Sequence, residues 1–270
     1  MTGSYLPESP FVTVVTPIYN SEDLVADAVL SVMAQTFDDW EMIIVDDASS
    51  DQSAARVATF LEMDDRLQLI RSAKNEGSSA ARNTAIRHAR GRFIAFLDAD
   101  DFWAPQKLER QLAFMQSNGC YFSYTYYEKV NEVGEPIGEQ VMPPNQVSYS
   151  DMLKSNHIGC LTAMYDTGRF GKRSMPAIRK RQDYGLWLEL LRTEHYARCL
   201  PEVLAYYRVH SGSISYNKTE IIKYNYKLFR EVEKFSPIKS GYYVGWNIIN
   251  KLFIYMKNLK LWVWRYCGFA

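Results

Sequence analysis

Short apolar runs recur at regular intervals through the first hundred residues: FVTVV (Phe11 to Val15), MIIV (Met42 to Val45), LQLI (Leu67 to Ile70) and FIAFL (Phe93 to Leu97). None alternates strictly between apolar and polar, which predicts strands buried on both faces. Amphipathic stretches separate them. SEDLVADAVLSVMAQ opens on Ser21, a helix-capping residue type, and sets Leu24, Ala28 and Val32 on one side. SSAARNTAIRHA opens similarly after Asn75 and Gly77. Strand–helix alternation at this spacing predicts an α/β fold, a mostly parallel central sheet flanked by helices. After Pro105 the regularity weakens. QKLERQLAFMQSNG predicts a helix that stops at Asn118-Gly119, YFSYTYYE a strand, and NEVGEPIGEQVMPPN a hairpin or loop. A further helix is expected over Asp183 to Glu194, and from Lys218 onward the chain reads as helical and basic, with ten Lys and Arg against three Glu.

Composition narrows the function classes. A chain of 270 residues suits one large domain or two closely packed halves. Its formal net charge is zero, which gives no support to a nucleic-acid partner held by phosphate attraction. The 19 Tyr, 13 Phe and 6 Trp exceed what a core needs, so rings for stacking or an interface are expected. Cys120, Cys160, Cys199 and Cys267 lie far apart without a CxxC pair, and read as buried or incidental thiols. No signal peptide and no membrane-spanning apolar run is visible, so a cytoplasmic location is expected.

The polar residues cluster where strands end. The first strand runs into TPIYN, the second into DDASSD (Asp46 to Asp51) and the fourth into DADD (Asp98 to Asp101). In open parallel sheets ligands sit beyond the carboxyl ends of the strands. A single such cluster is most simply a solvated turn, but three at one rim point to a site. Carboxylates packed as tightly as Asp98, Asp100 and Asp101 repel unless a cation shares the site. There is no GxGxxG after the first strand and no GxxxxGK[ST], so a nucleotide here needs another phosphate partner. A divalent cation held by carboxylates and diphosphate oxygens meets that need.

The ordered set VVTPIYN, DDASSD, NEG, ARN, FLDADD, RQDYGLW and YRVHSGS, from about Phe11 to Ser213, resembles the family 2 glycosyltransferases of the GT-A fold. It is most similar to bacterial enzymes of O-antigen, capsule and related surface polysaccharides. The resemblance implies inverting transfer from a UDP-sugar to a glycan acceptor, one carried on a lipid diphosphate, with Mn²⁺ or Mg²⁺ as cofactor. It implies a nucleotide-sugar-binding half at 1–105, an acceptor-binding half at 106–217 and a C-terminal helical segment at 218–270. By position, Thr16, Pro17 and Tyr19 frame the nucleobase, Asp46 bonds the uracil imide, and Asp47 and Asp51 shape its loop. Arg82 and Asn83 line the sugar-diphosphate side. Asp98 faces ribose and metal across Ala99, Asp100 is the principal metal ligand, and Asp101 orients the loop or the donor sugar. Arg208 and Ser213 are expected on the phosphates. Ala85, where the family often has glycine, alters a packing position only.

Two residues carry competing readings. Asp183 is either the general base of the transfer or the cap of the helix it opens; the motif order favours the base. His210 is either a metal ligand or an ordinary histidine satisfied by hydrogen bonds. Outside this reading stand a sugar-phosphate nucleotidylyltransferase, which would want a glycine-rich basic loop near the N-terminus, and a binding module without turnover. The segment WNIINKLFIYMKNLKLWVWRY collects Ile248, Ile249, Leu252, Tyr255, Met256, Leu259 and Val263 on one side of a helical wheel, with Asn247 and Asn250 opposite. A basic amphipathic helix with tryptophans lies in a membrane interface, or its apolar stripe closes the core or a subunit contact. A lipid-linked acceptor favours the membrane, making the protein peripheral on the cytoplasmic face. Oligomeric state stays open.

Overall fold

The computed structural model describes residues 10–209 and 218–250. The first half follows the apolar pattern: β1 (Val12–Ile18), α1 (Val25–Met33), β2 (Trp40–Asp46), α2 (Ser53–Leu61), β3 (Leu67–Arg71), α3 (Ser78–His88) and β4 (Phe93–Phe96). Every position of β1 and β2 is buried, which is why neither alternates in polarity. The second half contains β5 (Phe102–Trp103), α4 (Lys107–Ser117), β6 (Phe122–Val130), β7 (Pro136–Val141) and β8 (Gln146–Val147). It continues through α5 (Tyr149–Lys154), β9 (Met164–Asp166), α6 (Thr167–Phe170), α7 (Gln182–Thr193), β10 (Ala197–Arg208) and α8 (Lys218–Lys227). A π-helical turn, Leu228–Val232, extends α8, and a last helix, α9, covers 237–250. As expected, α4 stops at Asn118, with Gly119 at φ 56°.

The strands form one sheet in the order β3-β2-β1-β4-β9-β6-β10-β5, with β7 beside β6 and β8 beside β10. The parallel arrangement expected of the chain holds from β3 to β4 and again between β6 and β10. Elsewhere the sheet is mixed, with β9 antiparallel to both β4 and β6. Between β6 and β7 the chain turns back tightly through Gly134 at φ 86°, a connection that imposes antiparallel pairing. Apolar side chains fill both faces: Val12, Val14, Met42 and Ile44 pack with α1 and α4, while Val15, Ile43 and Val45 pack with α3 and α7. Trp187 of α7, fully buried, touches Phe96 and Phe122 and so fixes α7 under the sheet. Each such burial contributes about 1.5–3 kcal/mol.

Helix α9 reverses the orientation a simple amphipathic wheel suggests. Ser240, Val244 and Asn247 face the body, and the Asn247 amide donates to the carbonyls of Leu153 and Tyr243 at 3.0 and 2.8 Å. Asn250 donates to the Lys154 carbonyl at 3.1 Å. Asparagine is favoured inward here because the end of α5 presents unpaired carbonyls that need donors. The outward stripe is apolar: Ile238, Tyr242 and Ile249 are 87%, 58% and 51% exposed. Of the stripe read from the sequence, Ile248 and Ile249 are both exposed; Leu252 and the rest of it lie outside the described residues. Also among the described residues, no helix is long and apolar enough to cross a membrane.

Candidate active site

The carboxyl ends of β1, β2 and β4 meet at one rim, because β1 lies between the other two. Thr16 and Pro17 are buried in β1, while Tyr19 just beyond is 50% exposed, open to stack on a base. The turn after β1 is stapled to the loop after β2. Asn20, at φ 47°, donates its N–H to Ser49 Oγ at 3.0 Å and accepts from the Ser50 N–H at 2.9 Å. Asp51 accepts from Ser53 and from the Glu22 N–H, and these hydrogen bonds hold its carboxyl below the usual range against the opposing effect of burial. Asp46, at the end of β2, accepts the Ser49 N–H at 3.0 Å. Among the described residues its second oxygen has no hydrogen bond; Arg71 stands 3.6 Å away. Asp47 turns inward and accepts the N–H groups of Glu76 and Gly77 at 3.0 and 2.7 Å, fixing the turn that starts α3. Gly77 stands at φ 90°, a conformation that favours glycine.

The DADD turn leaves β4 with its three carboxylates in different environments. Asp98 is partly exposed and ion-paired with the buried guanidinium of Arg82. Burial alone would lower the pKa of Arg82; Asp98, Cys160 and Asp183 outweigh it and hold the charge firmly on. Asp101 is enclosed, and burial first, then Asp100 and Asp98, push its carboxyl well above the usual range. It accepts the backbone N–H of Arg208 at 2.9 Å. Ala99 is buried between them and Asp100 is half-buried.

Arg208, expected on substrate phosphates, is instead spent within the protein. Its side chain is 2% exposed, donating to the Asp100 carbonyl at 3.0 Å, the Glu132 carbonyl at 2.5 Å and Asp27 of α1 at 2.5 Å. One arginine thus ties the DADD turn to α1 and to the β6–β7 turn. Asn83, expected to face the sugar diphosphate, binds both backbone groups of Met175: its amide donates at 2.9 Å and its oxygen accepts at 2.7 Å. Ser79 donates to the Pro176 carbonyl at 2.8 Å, and Gln182 to Ser78 at 2.6 Å. Helix α3 therefore clamps the loop that leads into α7. A Cβ on Gly185 would lie 2.5 Å from Pro176 Cγ, so glycine is what lets α7 close on that loop.

Asp183 lies in the first turn of α7, but the position that caps the helix is Arg181, without a side-chain cap. Among the described residues the Asp183 carboxylate has no hydrogen bond and no ion pair, although its charge reaches Arg82 and Cys160. Cys160 is a site residue that the sequence does not single out. Its thiol stands among Arg82, Asp98 and Asp183, and desolvation pushes it well above its usual value, so it remains protonated. No local signal marks it, since a lone cysteine reads the same in a core.

Among the described residues no group of three or more His, Cys, Asp or Glu side chains could hold a metal unaided. A Mg²⁺ or Mn²⁺ shared with a diphosphate needs only one or two protein carboxylates. Of the three carboxylates of the DADD turn, Asp98 is paired with Arg82, Asp101 is enclosed and Asp100 is half-buried. His210 and Ser213 lie outside the described residues.

A mixed α/β sheet flanked by helices, with polar groups gathered at one rim, is the architecture of the GT-A class of glycosyltransferases. Superposition supports the class: residues 1–349 of S. aureus TarS, in complex with UDP-GlcNAc, match with a TM-score of 0.66 over 87% of this chain and 70% of that one, at 18% identity. A mannosyltransferase of Pyrobaculum calidifontis, in complex with GDP-Man and Mn²⁺, matches at 0.65 over 89% and 69%, at 19% identity. The chain belongs to Glycosyl transferase family 2, whose model matches residues 13–171. It is 41% identical over 231 residues to TuaG of Bacillus subtilis, named as a putative teichuronic acid biosynthesis glycosyltransferase, covering 86% of this chain and 92% of that protein. It is 35% identical over 234 residues to WfgD of Escherichia coli, covering 86% and 90%. WfgD is named a UDP-Glc:α-D-GlcNAc-diphosphoundecaprenol β-1,3-glucosyltransferase. The chain is thus a glycosyltransferase.

Proposed function

We propose that this enzyme transfers a hexose or N-acetylhexosamine, with inversion and with a divalent metal, from a UDP-sugar to a sugar carried on a lipid diphosphate. The observation that carries the reading is Asp183: a carboxylate left without a partner among the described residues, beside a clamped loop and near the Arg82–Asp98 pair. In the reaction an acceptor hydroxyl oxygen bonds to the anomeric carbon as the bond to the β-phosphate oxygen breaks. The electron pair leaves with UDP and the hydroxyl proton passes to Asp183. Asp46 and Tyr19 bind the base, and Arg82 holds Asp98 in place. Asp100 would hold the metal, which when bound neutralises charge on the diphosphate. The names of WfgD and TarS support the UDP-sugar donor, and that of WfgD the lipid-diphosphate acceptor. Screening nucleotide sugars with synthetic lipid-diphosphate acceptors should show UDP release for one donor. If no nucleotide diphosphate sugar is bound or consumed with Mn²⁺ or Mg²⁺ present, the reading fails.

The same acceptor would bring the enzyme to a membrane surface. Ile238, Tyr242 and Ile249 give α9 an outward apolar stripe, and exposed Ile222, Lys223 and Tyr226 on α8 add a basic and aromatic patch. The full chain is expected to float with liposomes containing anionic lipid, and high salt should reduce that binding. Recovery in the soluble fraction with and without anionic lipid would remove the membrane from the account.

A further inference from the structure

The loop before α7 carries five basic residues and no acidic one between Lys172 and Arg181. Three are accounted for. Lys172 donates to the Arg87 carbonyl at 3.0 Å, Arg173 donates to the Phe170 carbonyl at 2.6 Å and faces Glu189, and Lys180 pairs with Glu220 of α8. Two are not. Arg179 is exposed and makes no hydrogen bond or ion pair among the described residues, although it acts on Glu220 at longer range. Arg181 is half-buried, and its Nε is enclosed without a partner among the described residues. Its backbone is left-handed, with φ 69° and ψ 17°, a conformation that an arginine adopts only when its surroundings impose it. The surroundings are the α3 clamp, which holds Met175, Pro176 and Gln182 and so fixes the backbone at Arg181, two residues before Asp183. The first turn of α7, uncapped by any side chain, adds N–H groups at the same place.

We propose that Arg179 and Arg181 form the binding site for the acceptor's own diphosphate, and that the sugar receiving the transfer is the one bonded to it. This rests on the lipid-diphosphate acceptor proposed above. In an inverting displacement the nucleophile and the departing UDP occupy opposite sides of the anomeric carbon. Cations flanking the base therefore stand on the acceptor's side, across from the donor's phosphates. On a sugar 1-diphosphate the reacting hydroxyl and the diphosphate share one pyranose ring. A cation that grips the phosphates then has to lie near the base, and Arg181 opens the helix whose first turn carries Asp183. Arg82, buried and also near Asp183, is already engaged by Asp98.

The test measures binding of three probes to the full chain by calorimetry, with UDP and Mg²⁺ present: an N-acetylhexosamine linked to an undecyl chain through diphosphate, through monophosphate, and directly as a neutral glycoside. The diphosphate should bind best. Arg179→Gln with Arg181→Asn, the asparagine chosen because it tolerates the left-handed backbone, should weaken it at least ~10-fold, the scale of one lost charge-assisted hydrogen bond. Binding of the neutral glycoside and of UDP should not change. Equal binding of all three probes to the wild type overturns the proposal. So does an equal loss of UDP affinity in the variant, which would assign the loop to the donor. A wild type that prefers the diphosphate probe yet never glycosylates it would sink the proposed reaction and leave this site standing.

Discussion

Asp183→Asn is expected to lower kcat by at least ~10²-fold, the usual scale for loss of a general base. UDP affinity measured by calorimetry should stay within error. Asparagine keeps the shape of the side chain and removes only the ability to take a proton. No capping bond is lost, because the cap position belongs to Arg181 and the carboxylate has no partner among the described residues. The melting temperature should accordingly hardly move. A variant that lost UDP binding as much as turnover would make Asp183 a structural residue. The product gives an independent check. From an α-linked UDP-sugar the wild type should form the β-anomer, read from the proton coupling at the anomeric carbon; an α-linked product would remove the single-displacement mechanism and with it the need for this base.

Asp100→Asn should reduce turnover to background with the fold intact, and treatment of the wild type with EDTA should do the same until Mn²⁺ or Mg²⁺ is restored. Arg208 holds the Asp100 backbone carbonyl, a contact the variant keeps. In the wild type donor affinity should depend on added metal, and in the variant that dependence should vanish. Activity that survives both the substitution and chelation would rule out a metal at this turn.

Much of the rim is legible in the order of residues alone. Apolar runs without polar alternation predict strands buried on both faces, and β1, β2, β3 and β4 stand where those runs are. Their spacing with helices predicts parallel pairing, which assigns Asp46 and the DADD turn to one rim. These inferences hold because they rest on local periodicity and on the steric rule that joins parallel strands through helices.

Other assignments depend on partners that no local pattern discloses. Arg208 sits in a motif that resembles a phosphate site, yet its guanidinium meets Asp27, 181 positions away, and two backbone carbonyls. Asn83 reads as a ligand to substrate and binds Met175, 92 positions on. Helix α9 is amphipathic in sequence, but Asn247 and Asn250 turn inward to donate to the carbonyls of Leu153 and Lys154 at the end of α5, beside Tyr243 and Val244 packed on the core.

The sequence by itself determined the strands, the rim where they end and the chemical types gathered there, because periodicity and residue chemistry act over a few neighbours. The tertiary structure decided which of those polar groups are used up inside the protein and which remain for a substrate. A buried donor or acceptor has to be satisfied wherever the fold brings a partner, and that partner is set by packing between elements distant along the chain. Asp183, Arg179 and Arg181 stand out only once Arg82, Asn83, Lys180 and Arg208 have been seen to be engaged.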